Sequence, residues 1–296
     1  MGEWNSCHGA FTHSSQIRIF FERGVIYLML IPSFEDEILD RTLSLFVNDI
    51  HAILNRKLQS VYLYGSALHN DLSPGYGDLD FLVLIGEDLN QNEIGLLNKL
   101  RAVYRSSPLR IWVGNQIHNL YTDMLEGAFF TVNMLNGGKG CGLWWGTVRE
   151  SVWTENQLDL FTQYTIKEQS ILLYGELQKD KIPSYSREEL IIFLKEYATC
   201  MRTYGKGNSL HSVDWLLLAS KFIAWWQEGN ILSKSQAADW GYLHLSGGWK
   251  VNLKRCKKLR KDPSMVTLLE YSEWLSNLGP AIIEASHDLD RILETR

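Results

Sequence analysis

The chain carries the run Val61-Tyr-Leu-Tyr-Gly-Ser-Ala-Leu-His69 and, after a spacer, Gly77-Asp-Leu-Asp-Phe-Leu-Val-Leu84, which puts Asp78 twelve residues beyond Ser66. The flanking apolar and aromatic residues predict a strand, a Gly-Ser turn, a loop and a second strand. Strand side chains alternate faces, so Asp78 and Asp80 point one way while Leu79, Phe81 and Val83 share the other. Two converging carboxylates suit a hard cation such as Mg²⁺, which takes oxygen ligands and is often held by one or two carboxylates plus substrate phosphates. Gly65 allows the backbone to approach a phosphate closely, and the Ser66 hydroxyl and nearby N–H groups can donate to its oxygens. Together these features predict metal-assisted transfer of a nucleotidyl group. Each half alone has a plainer reading, as a solvated Asp-x-Asp turn or a common turn dipeptide.

The elements that must position these residues follow from the apolar pattern. Leu39, Leu43, Phe46, Ile50 and Ile53 recur at threes and fours and mark an amphipathic helix within Glu35–Leu58. Strands at Val61–Tyr64 and Phe81–Leu84 precede a helix around Asn92–Tyr104, then strand-like runs at Leu109–Val113 and Glu126–Val132. This order predicts an α/β domain with a mixed sheet over residues 35–150. Beyond it, Gln157–Leu172, Arg187–Arg202, Val213–Gln227, Lys234–Leu245, Lys250–Lys261 and Met265–Leu278 suit helical period, which predicts an all-α helical bundle over residues 151–296. Ser186-Arg-Glu-Glu189 and Ser233-Lys-Ser-Gln236 read as capping boxes.

Residues 1–34 form an N-terminal extension, with little periodicity before residue 28 apart from Ile17–Phe21, and Met29 is an alternative natural start. The apolar run Gly24–Pro32 is too short to span a bilayer and lacks the flanks of an export signal, so a cytoplasmic protein without membrane attachment is expected. The four cysteines show no Cys-x-x-Cys spacing, which argues against a zinc site or a disulfide framework. With 45% hydrophobic residues, 296 residues can fill two cores, and a monomer is expected. A net charge of −5 offers no general attraction to nucleic acid and favours a small-molecule acceptor over a template or an RNA tail.

Leu63-Tyr-Gly-Ser-Ala67, Leu72-Ser-Pro74 and Gly77-Asp-Leu-Asp-Phe-Leu-Val83 resemble the signature of the DNA polymerase β-like nucleotidyltransferases. Within that superfamily they are most similar to the aminoglycoside adenylyltransferases that modify streptomycin and spectinomycin. The resemblance extends through Leu172-Leu-Tyr-Gly175, Pro183 and Gly229-Asn-Ile-Leu-Ser-Lys-Ser-Gln-Ala-Ala-Asp-Trp240, and so into the helical half. It implies transfer of AMP from Mg²⁺-ATP to a hydroxyl of an aminoglycoside or aminocyclitol, in a cleft between two domains.

The same resemblance implies roles for individual residues. Asp78 and Asp80 would be catalytic metal ligands, Gly65 and Ser66 would face the phosphates, Lys234 would contact the triphosphate, and Lys221 stands where the family usually has a nucleotide-contacting arginine. A glutamate on a later strand would be the general base. The first such strand by distance offers Arg110, which would leave the base missing, whereas Leu125–Val132 offers Glu126, with Asp123 as the fallback. His211 and Asp214 fall where the family places acceptor-contacting residues, and Trp144, Trp145 and Trp153 could wall the acceptor, although such aromatics more often pack a core. Gly77 replaces a serine common in the family, and the basic run Lys250–Lys261 is most simply a solvated helix face. Two rivals accompany this reading: an adenylyltransferase acting on a protein or a metabolite, and a nucleotide-binding module without its base.

Overall fold

A computed structural model describes residues 15–22, 25–32, 34–106, 109–146 and 153–294. Strands β1 (Ser15–Glu22) and β2 (Val25–Pro32) form an antiparallel hairpin, with Met29 opposite Arg18. The apolar run Gly24–Pro32 is thus largely a strand. Its partner grows out of the short alternation at Ile17–Phe21, a pattern too brief to fix a hairpin from sequence. Residues 1–14, including Cys7, lie outside the described residues; Cys141, Cys200 and Cys256 are free thiols.

Helix α1 (Glu37–Leu54) starts at Asp36, whose carboxylate accepts from the Ile38 and Leu39 N–H groups, and it buries Leu39, Leu43, Phe46, Val47 and Ile50. After it come β3 (Leu58–Tyr64), β4 (Leu79–Ile85), α2 (Gln91–Ser106), the ribbon β5 (Arg110–Val113) and β6 (Gln116–Asn119), then β7 (Leu125–Thr131), β8 (Gly140–Trp145) and β9 (Trp153–Asn156). Helix α3 (Leu160–Gln169) leads into β10 (Ile171–Gly175). The central sheet has the order β10-β3-β4-β7-β8-β9, with β4 and β7 parallel and the other neighbours antiparallel.

Alternation along β3, β4 and β7 builds two cores on one sheet. Val61, Leu63, Leu79, Phe81, Val83 and Phe129 pack with α1 and α2 residues on one face. Tyr62, Tyr64, Leu82, Leu84, Ala128 and Phe130 pack with Leu158, Ile166 and Ile182 on the other. At roughly 1.5–3 kcal/mol per fully buried large apolar side chain, this two-sided burial fixes the register of the strands that carry the candidate site.

The rest of the chain is helical: α4 (Arg187–Tyr204), α5 (Asp214–Glu228), α6 (Lys234–His244), α7 (Leu253–Lys261), α8 (Leu269–Ser276) and α9 (Gly279–Glu294) enclose a third core that includes Leu194, Leu217, Ile223, Trp249, Leu253 and Ile282. Both predicted capping boxes form, Ser186 with Glu189 and Ser233 with Gln236. The architecture is therefore a mixed sheet with helices followed by a helical bundle.

Several sequence expectations are corrected here. The helix expected over Gln157–Leu172 ends at Gln169, and Ile171–Gly175 instead takes the open edge of β3, because a five-residue apolar run fits a strand as well as a helix. Both β9 and β10 lie past residue 150, so the sheet draws on chain beyond the expected end of the α/β part. The expected helix Lys250–Lys261 opens with a 3-10 turn at Gly248–Asn252, and α9 lies beyond the last helix read from sequence.

Candidate active site

Strand β3 ends at Tyr64, and Gly65 turns the chain with φ +81°. A Cβ on Gly65 would lie 2.1 Å from Asp80 Oδ2, so both the backbone angle and the nearness of Asp80 require glycine. A 3-10 turn, Gly65–His69, carries Ser66, whose hydroxyl lies 3.5 Å from the Asp78 carbonyl oxygen. The loop Asp71–Gly77 then leads back to Asp78 and into β4, where Asp80 faces Tyr64 across the antiparallel pair.

The parallel pairing of β4 with β7 sets the third acid. Asp80 and Glu126 are register partners, as are Leu79 with Leu125 and Phe81 with Gly127. Side chains at matched positions of adjacent strands share a face, so Glu126 stands beside Asp80. Gly127 permits the approach: a Cβ there would lie 2.0 Å from the Phe81 carbonyl oxygen. Arg110 lies in the separate β5–β6 ribbon and is exposed, so it does not occupy an acid's place in the sheet. Asp123 is exposed in the 3-10 turn before β7.

Burial pushes the Asp80 carboxyl up to about 7; Asp78 and Glu126 add to the rise, while Lys234 and Lys221 oppose it. Burial also raises Asp78, against the pull of Lys234, a hydrogen bond with Glu126 and the nearby His211. Three acids crowded in a poorly solvated place repel one another, and a divalent cation would relieve that repulsion. Among the described residues, no three His, Cys, Asp or Glu side chains stand close enough to form a cage on their own. Asp78 and Asp80 fit the hard-oxygen half of a Mg²⁺ site, with phosphate and water oxygens needed for the remainder.

Cations face these acids from the helical half. Lys234 is the first residue of α6, after the Ser233 cap, and its Nζ lies 2.8 Å from Asp214 Oδ1. Lys221, on α5, has its Nζ 5.3 Å from the Phe161 ring centroid. Burial lowers the Lys221 ammonium to about 8, with Lys234 acting in the same direction and Asp80 against it. His211 Nδ1 lies 3.4 Å from Asp214 Oδ2, and that hydrogen bond raises the imidazole above its ordinary value. For Asp214, burial pushes upward but Lys234, His211 and Tyr76 outweigh it and hold the carboxyl at about 2. A pocket of about 520 Å³ opens beside His211 and Asp214, with Tyr197, Tyr204, Lys206 and Trp215 in its wall.

The fold thus brings together Gly65, Ser66, Asp78, Asp80, Glu126, Lys221, Lys234, His211 and Asp214. It does so for one member of the expected aromatic wall at most. Trp145 is buried in the core against Phe46, Phe81 and Phe129, and the Trp153 side chain lies outside the described residues. Only Trp144, half-buried on the sheet face that carries Asp80 and Glu126, lies near the acids: a Cβ on Gly146 would be 2.6 Å from its Nε1 and 3.6 Å from Glu126 Oε1. Arg260, expected on a solvated face, is 1% exposed and bonds to Asp71 and Ser73. A signal for its burial exists in the sequence, since Leu253, Cys256 and Arg260 fall at i, i+3 and i+7, one helix stripe. Tyr76, also absent from the sequence reading, enters the helical core and lies between His211 and Arg260, with 5.0 Å between the Tyr76 and His211 ring centroids and 5.8 Å from the Arg260 guanidinium to the Tyr76 ring.

No protein-family profile matches the chain, and no curated protein sequence matches it. Among solved structures, the chain is similar to the spectinomycin adenyltransferase AAD(9) from Enterococcus faecialis, solved with ATP and spectinomycin. The likeness has a TM-score of 0.60 at 16% sequence identity and covers 86% of this chain and 99% of that one. It establishes that the two chains share a fold, from the mixed sheet through the helical bundle.

Proposed function

We propose that this protein is a nucleotidyltransferase that moves AMP from Mg²⁺-ATP to a hydroxyl of a small polar acceptor, with an aminoglycoside or aminocyclitol as the first acceptor class to test. The observation that carries this reading is the meeting of Asp78, Asp80 and Glu126 on adjoining strands with Lys221 and Lys234 facing them. The shared fold with a protein solved with ATP and spectinomycin supports the nucleotide and the acceptor class.

Asp78 and Asp80 would hold Mg²⁺, which when bound would supply charge to polarise the α-phosphate and offset the departing pyrophosphate. Ser66 and the Gly65 turn orient phosphate oxygens, and Lys221 and Lys234 neutralise the triphosphate, Lys234 adding its charge to the positive end of α6. Glu126 accepts the acceptor's proton as the acceptor oxygen bonds to the α-phosphorus. The bond from that phosphorus to the bridging oxygen breaks, and its electron pair leaves with pyrophosphate. His211 and Asp214, which line the pocket, contact the acceptor.

The test is pyrophosphate release from Mg²⁺-ATP with streptomycin, spectinomycin and other aminoglycosides as acceptors. Release should depend on one acceptor, vanish in Asp80→Asn, and fall about 10²–10⁴-fold in Glu126→Gln. Full turnover in Asp80→Asn would remove the metal assignment. Nucleotide binding with silence across the panel would transfer the proposal to a protein or metabolite acceptor.

A further inference from the structure

Asp71 and Arg260 form a buried ion pair that ties three segments together. Arg260 Nη1 donates to Asp71 Oδ1 at 3.0 Å and to Ser73 Oγ at 2.6 Å, and Nη2 donates to the Asp71 carbonyl at 2.7 Å. The other carboxylate oxygen, Asp71 Oδ2, accepts from the Ser235 N–H at 3.0 Å. One residue pair therefore joins the loop that runs into Asp78 and Asp80, the C-terminal end of α7, and the first turn of α6 at the residue after Lys234.

Stability alone is a poor reason for such a pair. Taking two charges out of water costs several kcal/mol per ion, and well-packed apolar side chains of similar volume often serve as well or better. What the pair offers is geometry. The planar guanidinium bonds in fixed directions, and its three bonds here hold a side chain, a hydroxyl and a main-chain carbonyl of one loop. A nucleotide bridging the acids and Lys234 needs those two groups at one separation, and they sit on different segments of the chain.

We propose that Asp71 and Arg260 are positioning residues that hold the Asp78–Asp80 loop and the Lys234 helix end at the separation a bound Mg²⁺-ATP requires. The inference rests on the nucleotidyl-transfer reading but needs no knowledge of the acceptor.

Calorimetric titration with Mg²⁺-ATP tests it, alongside melting temperature. Arg260→Lys keeps the charge and loses the fork; Ser73→Ala removes one bond and leaves the ion pair in place. If the pair positions the site, Arg260→Lys weakens Mg²⁺-ATP binding about tenfold at unchanged stoichiometry, and Ser73→Ala weakens it by a smaller factor with the melting temperature nearly unchanged. If the pair only braces the fold, the variants melt earlier and bind with lower stoichiometry, but the dissociation constant of the folded fraction stays that of the parent. That result overturns the inference. Should Arg260→Lys fail to fold, Ser73→Ala decides by the same readout. A parent protein that binds no Mg²⁺-ATP overturns the nucleotidyl reading and this inference with it, whereas normal binding in parent and variants alike overturns the inference alone.

Discussion

Lys221 shows how the surroundings of one residue set the pH at which it can work. Burial lowers its ammonium to about 8; Lys234 and Arg260 push the same way, and Asp80 and Asp71 resist. If Lys221 neutralises triphosphate, kcat/KM for ATP, which reports the free enzyme, should fall as pH rises past about 8. Stability should move in the other direction. The folded value lies below the ordinary lysine value of 10.5, so the cost of burying the charge is greatest below about 8 and is relieved as pH climbs from there toward 10.5. Activity lost over this range without loss of fold identifies a titration rather than alkaline unfolding. Lys221→Arg stays charged and should abolish the limb; a limb that persists in that variant places the titrating group elsewhere. At this scale much was legible, because Asp78 and Asp80 announce themselves by strand period and Gly65 by its turn. Glu126 was preferred to Arg110 only for its acid-then-apolar-strand pattern, since two short apolar strands are otherwise equivalent until the partner of β4 is known. Arg260 was read as one more member of a basic run because its charge masked its place on the apolar stripe.

Among elements, α6 links folding most directly to the proposed chemistry. Its capping box, Ser233 with Gln236, fixes where the helix begins, and Lys234 is the residue after the cap. A matching box, Ser186 with Glu189, starts α4. Ser233→Ala and Ser186→Ala should each cost about 1 kcal/mol of stability. Only Ser233→Ala frays the turn that holds Lys234, so it should also raise KM for ATP several-fold, by the geometric sensitivity of a positioned charge. Parallel denaturation curves and KM measurements on the two variants compare two capping boxes, one exposed at Ser186 and one buried at Ser233; equal KM values would separate Lys234 from the nucleotide. Both caps were legible because their signal is local, lying within four residues. Strand β10 was not, because its five residues acquire an identity only from the exposed edge of β3, more than a hundred positions earlier.

The whole molecule is coupled where Asp214 sits. This carboxylate is on α5, pairs with Lys234 of α6 and with His211 before α5, and interacts with Tyr76 from the loop that leads to Asp78 and Asp80. Its folded value of about 2 lies below the ordinary aspartate value of 3.8. A depressed carboxylate contributes stability that is fully present above the unfolded value and is lost as pH falls through the folded one, here between about 4 and about 2. The size is on the order of 2 kcal/mol, by the equivalence of one pKa unit to about 1.4 kcal/mol. His211 has the opposite sign: raised by its bond to Asp214, it contributes below its ordinary value and loses that contribution as pH rises through the raised one. The cluster is therefore firmest in mildly acidic solution, above the Asp214 transition and below that of His211. Urea unfolding from pH 2 to 8 should show the parent more stable than Asp214→Asn near pH 5, with the gap closing as pH drops toward 2. Asp214 ties the acid-bearing loop to the helices that carry the lysines. A constant gap across the range would mean that Asp214 acts through packing alone and that its charge does not couple the two halves.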